Sequence, residues 1–163
     1  MDAILLLRVQ HDEAEALFEA LERADAPDER QRVFEDLADA LAIHSTVEER
    51  YFYPALRAGE TEPLVGEALE DHRALKRAIA ELLLTPVHDD AFMRLFVVLR
   101  TLFANHRKGE EGELFPRAKQ VLDKRAREAV GSRMLELSRE LEGTAARLRI
   151  PEELAGDAAV LLS

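Results

Sequence analysis

The stretches HSTVEERYFYP, from His44, and HRKGEEGELFP, from His106, spell one phrase twice, H-x3-E-E-x4-P. Their histidines are 106 − 44 = 62 residues apart, and a second pair, His11 and His72, repeats at 72 − 11 = 61. Around all four, apolar residues recur at alternating spacings of three and four, the period of one helix face. Ile4, Leu7, His11, Ala14, Phe18 and Leu21 make the first seam, and His72, Leu75, Ile79 and Leu82 repeat it. Leu37, Leu41, His44 and Glu48 are matched by Leu99, Phe103, His106 and Glu110. Such a chain is a tandem repeat of two helical hairpins, and little else accommodates it.

Turn chemistry sets the connections. Helical blocks are expected from about Asp2 to Ala24, Asp28 to Arg57, Pro63 to Leu84, and Asp89 into the Lys124 region. DAPDE, RAGETEP and TPVHDD separate them, with Asp28 and Asp89 as N-caps and Pro63 in a first turn. Connections this short make consecutive helices antiparallel, so the predicted fold is all-α: an up-down-up-down antiparallel four-helix bundle. Residues 1–124 are expected to form the bundle. Residues 125–163 add a further helix near Arg125–Glu142 and a tail. That tail, from Gly143, is either a loose end or a short apolar segment docking on the bundle or on a second subunit.

Composition excludes several functions. A net charge of 22 − 33 = −11 argues against nucleic acid or anionic membrane as a partner. The chain has no cysteine, so disulfide and thiolate chemistry are out. The N-terminal apolar run AILLL is too short for a signal peptide or a membrane span, which makes a cytoplasmic location the expectation. There is no HExxH, no Gly-rich phosphate loop, and no Glu three residues before any seam histidine, as the ferritin-related carboxylate bundles require.

The seams themselves carry the chemistry. Each holds a histidine where leucine belongs, and two also hold a glutamate. A buried unpaired carboxylate costs several kcal/mol, so something inside the bundle must compensate it. Residues i and i+4 share a helix face, so His44 with Glu48, and His106 with Glu110, can converge on one centre. Counting from the turns puts all four imidazoles in one slab, within roughly 3 Å of the same height. Imidazoles and carboxylates suit iron, manganese or zinc. Six protein ligands are too many for one tetrahedral zinc with an open position, and suit two octahedral ions sharing carboxylates. Iron is the favoured metal.

A single seam histidine is ordinarily a satisfied core residue, but four of the five histidines on seams, beside two matched glutamates, are not so explained. His88, in TPVHDD, reads as a solvated turn residue. Glu49 and Glu111 fall about 100° around the helix from the ligands, toward solvent or behind the histidines. Tyr51, Tyr53 and the phenylalanines Phe52 and Phe115 read as packing, although Tyr51 falls on the seam and could hydrogen-bond near the centre. Pro54 and Pro116 are expected to break their helices. Gly109 and Gly112 flank Glu110 inside a helix, where each costs about 1 kcal/mol relative to alanine. Close helix packing or a local distortion re-aiming Glu110 would account for them.

The ordered set His11, His44/Glu48, His72 and His106/Glu110, with E-E-x4-P following, resembles the hemerythrin family, specifically the bacterial hemerythrin-like HHE cation-binding domains. The resemblance covers roughly residues 5–120. It implies a non-haem di-iron centre in a left-handed four-helix bundle, with His11 and His44 on one iron and His72 and His106 on the other. Glu48 and Glu110 would bridge the two beside an oxo or hydroxo group. Oxygen-carrying members resemble HxxxH on the third helix, whereas Lys76 stands four residues after His72 here. Each iron would then have five ligands and keep one open position. The matching place on the first helix is Glu15, expected to pair with Lys76 or, as an alternative, to ligate iron.

These readings imply a protein that binds, senses or reacts with O2, NO or peroxide, as a monomer or homodimer. The alternatives are an iron store or buffer without turnover, and a structural bundle whose tail mediates assembly.

Overall fold

The computed structural model describes residues 1–57 and 59–162; Ala58, within the expected interruption RAGETEP, and the final Ser163 lie outside the described residues. The chain is an all-α, up-down-up-down four-helix bundle with added C-terminal helices. The first hairpin is α1 (Ala3–Arg23) and α2 (Pro27–Val47), which runs through a π-helical turn, Glu48–Phe52, into α3 (Tyr53–Leu56). The second is α4 (Glu62–Leu83) and α5 (Asp90–Gly109), which runs through the π turn Glu110–Leu114 into α6 (Phe115–Val121). Then come α7 (Lys124–Leu141), a 3-10 turn (Ala146–Arg149) and α8 (Ile150–Leu162). No helix among the described residues is long and apolar enough to cross a membrane.

The helix ends follow local chemistry. Asp2 caps α1 by accepting from the Ile4 N–H at 2.8 Å, and Asp89 caps α5 by accepting from Ala91 at 2.9 Å. Pro63 lies in the first turn of α4, as its fixed φ favours. Asp28 is not the cap of α2. The cap lies two positions earlier, at Ala26, with Pro27 at the first helical position, and Asp28 instead faces the positive helix end from the first turn.

Pro54 and Pro116 do not break their helices either. In each hairpin the carbonyl of the glutamate, Glu48 or Glu110, accepts from the residue five positions on, Tyr53 or Phe115. A proline ring clashes with the carbonyl four residues back in an ordinary α-turn; a widened turn just before it removes the conflict. The phrase E-E-x4-P therefore encodes a π turn followed by the proline that it accommodates.

Two apolar clusters fill the bundle, one on either side of the histidine slab. Toward the α1–α2 turn, Phe18, Leu37, Phe34, Phe92 and Phe103 pack with Ile79. Toward the other end, Leu7, Phe52, Leu56, Val65 and Phe115 pack with Met134 of α7. α7 lies on α1 at a close approach: a Cβ on Gly131 would stand 2.0 Å from the Met1 carbonyl oxygen and 2.6 Å from the Ala3 nitrogen. Arg127 donates to Asp2 at 2.8 Å, which ties the same two helices at their ends.

The C-terminal segment docks on the bundle. Arg147 donates to Asp39 at 3.0 Å and to Glu35 at 3.2 Å on α2, and Ile150 and Ala146 join the first apolar cluster.

Candidate metal centre

The structure brings all six sequence-predicted residues, His11, His44, Glu48, His72, His106 and Glu110, together in the slab between the two cores. None is more than 5% exposed. The imidazoles fall into two pairs: ring centroids are 4.8 Å apart for His11 and His44, and 4.8 Å for His72 and His106. Across the pairs, His11 and His44 stand 6.4 and 6.3 Å from His106.

The glutamates lie between the pairs. Glu48 Oε1 is 2.8 Å from His44 Nε2 and 3.3 Å from His72 Nε2. Glu110 Oε1 is 3.0 Å from His106 Nε2 and 3.1 Å from His11 Nε2. Each carboxylate thus touches one imidazole of its own helix and one of the opposite pair. His11, His44, His106 and Glu110 form one group able to hold a cation, and Glu48, His72 and His106 another.

Every Nε2 points inward, and every Nδ1 meets an oxygen from behind. Gln10 Oε1 lies 2.8 Å from His44 Nδ1, and Asp71 Oδ2 3.2 Å from His106 Nδ1. Glu49 Oε2 lies 3.1 Å from His72 Nδ1, and Glu111 Oε2 makes a 3.3 Å contact with His11 Nδ1. The hydrogen-bonded oxygens behind His44, His72 and His106 orient those rings and make Nε2 a better donor to a cation, whereas His11 Nδ1 has the contact without a hydrogen bond. Gln10 and Asp71 immediately precede His11 and His72, so the repeat itself held the signal that would have found them.

Lys76 and Glu15 do not pair with each other, and neither belongs to the cluster of ligand atoms. Lys76 meets Glu49 at 3.0 Å and Glu153 of α8 at 3.1 Å, whereas Glu15 pairs with Arg100 at 2.9 Å. Two carboxylates, one of them presented by the docked tail, hold the ammonium more strongly than one across the bundle would. Lys76 thereby fixes Glu49 behind His72. Arg8, at 3.0 Å, and Arg107 do the same for Glu111 behind His11.

The aromatic expectation is also corrected. Tyr53, not Tyr51, reaches the centre: its hydroxyl donates to Glu110 Oε2 at 2.7 Å and lies 3.1 Å from His72 Nε2. The π turn adds one residue to the turn after Glu48, so the residue brought below Glu48 is Tyr53, five positions on, in place of one three or four positions on. The second hairpin has Phe115 there, stacked on His11 at 5.8 Å, so the phenol exists on one side only. Burial first, then the charges of Glu48 and Glu110, push the Tyr53 pKa well above the usual phenol value, and the group stays O–H.

Without a cation the centre is held by protons. Burial opposes protonation of His44, but Glu48 and Glu110 outweigh it and raise its pKa to about 9. His106 is raised for the same reason, by Glu110 foremost after burial. Burial pushes the Glu110 carboxyl up, but His106 outweighs it and holds it well below the usual range. Both oxygens of Glu48, with His44 Nε2 and His106 Nε2, are buried without a hydrogen bond. Buried donors and acceptors are almost always satisfied, so a cluster of such orphans facing one another fits cations between them.

A model of the hemerythrin HHE cation-binding domain matches residues 2–118. The chain belongs to that family. It is 33% identical over 89 residues to the uncharacterised proteins Rv2633c of Mycobacterium tuberculosis and Mb2666c of Mycobacterium bovis. Those matches cover 55% of this chain and 54% of each relative, so the chain matches about half the length of these curated relatives. A crystal structure of an HHE cation-binding domain-containing protein from Mycobacterium kansasii superposes with a TM-score of 0.82. It covers 92% of this chain and 99% of its own at 24% identity, which shows a shared fold. Family membership and the buried His/Glu cluster together make this a cation-binding HHE domain.

Proposed function

We propose that this HHE domain holds two iron ions and uses them to bind, sense or react with O2, NO or peroxide. The observation that carries the reading is the pairing of imidazoles at 4.8 Å with one carboxylate between the pairs on each side. His11 and His44 would hold one ion, His72 and His106 the other, with Glu48 and Glu110 shared. When bound, such an ion pair supplies redox capacity and open positions for a small ligand.

The protein's own groups supply the rest. Phe103, Leu75 and Ile79, with Ile150 from the C-terminal segment, wall a cavity of about 10 Å3 beside His44 and His72. That space is about one water and admits only very small molecules. Tyr53 keeps a proton at its hydroxyl oxygen, within 2.7 Å of Glu110. It is the one phenol at the centre, and its single O–H would have to turn from Glu110 to hand a hydrogen bond to a ligand there.

Reaction of the reduced, iron-loaded protein with O2, NO and peroxide in turn tests the reading. A saturable spectral adduct or catalytic consumption of one of them is expected. Iron that stays bound yet answers to none would make the domain an iron buffer instead.

A further inference from the structure

The two hairpins are near copies, so a difference between matching positions marks something that one half does and the other does not. Beside His106 and Glu110 a cavity of about 60 Å3 runs outward between α4 and the end of α5. Glu67, Asp71 and Glu113 line its outer part, and Gly109 lies exposed on its edge. A Cβ built on Gly109 would meet nothing within 4 Å, so close helix packing does not explain this glycine. The spacing of 61 or 62 residues identifies the counterparts: Leu6 for Glu67, Gln10 for Asp71, Tyr51 for Glu113 and Val47 for Gly109. Leu6 is 5% exposed and Val47 fully buried. α7 covers that face, with Ser138 accepting from Gln10 at 3.1 Å and Gly131 against the backbone of Met1 and Ala3.

We propose that the opening at Gly109 is the route by which divalent cations reach the centre, with Glu67, Asp71 and Glu113 as its acidic funnel. This rests on the reading of the centre as a cation site. Among the described residues no ion pair neutralises Glu67 or Glu113, and the only ionic partner of Asp71 is His106 Nδ1 at 3.2 Å. Asp71 is nearly half exposed and His106 buried, so one side chain spans from solvent to the back of a ligand ring. At the inner end stand buried His106, whose Nε2 has no hydrogen bond, and Glu110, 2% exposed. Unpaired carboxylates at the mouth of a low-dielectric cleft concentrate cations and speed their arrival. They give nothing to a neutral gas or peroxide. In the first hairpin the matching residues Leu6, Gln10, Val47 and Tyr51 carry no charge and α7 covers them, so loading is one-sided.

The test is the rate at which metal-free protein takes up ferrous iron under argon, followed as loss of chelator-reactive iron. Glu67→Gln with Glu113→Gln is expected to slow uptake about tenfold at low ionic strength and to flatten its salt dependence. The final iron content should not change. Gly109→Val, which installs the residue of the closed half, is expected to slow uptake at any salt concentration. Glu19→Gln with Glu140→Gln removes the same charge from exposed positions elsewhere and should leave the rate near wild type. Uptake at the wild-type rate in the Glu67/Glu113 double variant, or equal slowing in the control, overturns the route while leaving the centre intact. A wild type that takes up no iron removes the centre itself.

Discussion

Each imidazole of the centre has a buried nitrogen facing its neighbours and an outer nitrogen backed by an oxygen, hydrogen-bonded in His44, His72 and His106 and only in contact in His11. Single-residue chemistry follows from that. His44 has a pKa raised from 6.5 to about 9 when no cation is present. Between those values the folded form keeps a proton that the unfolded chain has lost. Its contribution to stability is therefore whole below pH 6.5 and is lost as pH rises through about 9. Thermal melts of metal-free protein across that window should show a falling midpoint. Iron competes for the same nitrogen, so its affinity should rise over the same range. A metal-free midpoint that climbs with pH would place the proton elsewhere. Tyr53→Phe removes a donor from a buried carboxylate, while Phe115 shows that the bare ring fits the matching place. It should destabilise the metal-free protein by about 1–3 kcal/mol in urea titration. An unchanged midpoint would detach the phenol from Glu110. The six inward residues were legible because the repeat doubled them. Tyr53 was not, because one inserted residue in the π turn moves the inward position and leaves no mark in composition.

Among the elements, the helices were legible from period and caps, and the exceptions have local causes. Proline outcompeted aspartate for the start of α2, and the prolines after Glu48 and Glu110 mark widened turns in place of ends. Gly112 is not what makes its turn wide, since the first hairpin forms the same turn with Arg50 at that position. A Cβ there would meet nothing, so Gly112→Ala should be neutral or stabilise the fold by up to about 1 kcal/mol. Clear destabilisation in a denaturant melt would show that the second turn needs its glycine. Gly131 is the opposite case. Its Cβ would collide with the backbone of Met1 and Ala3, so Gly131→Ala should push α7 off α1, losing about 1–3 kcal/mol. Undiminished stability and unchanged protease resistance at α7 would contradict that packing. No pattern within α7 announces this contact, because the atoms that demand glycine lie at the other end of the chain.

For the whole molecule, a slab of charged and polar groups divides the apolar interior, and the fold tolerates it only if something compensates. Protons do so in part, and cations should do so more fully because they also satisfy the orphaned oxygens of Glu48. Chelation is therefore expected to lower the melting temperature, since a ligand bound only to the folded state stabilises it. The added helices complete the frame: α7 closes the first hairpin's side, and the C-terminal segment brings Ile150 and Glu153 beside the centre. The direct measurement is iron per chain after anaerobic reconstitution and desalting, in wild type, His44→Ala and Glu110→Ala. Shared carboxylates and paired imidazoles predict about two ions per chain in wild type and well below that in both variants. A wild type without bound iron, or variants that both retain the full complement, would contradict the assignment of the centre.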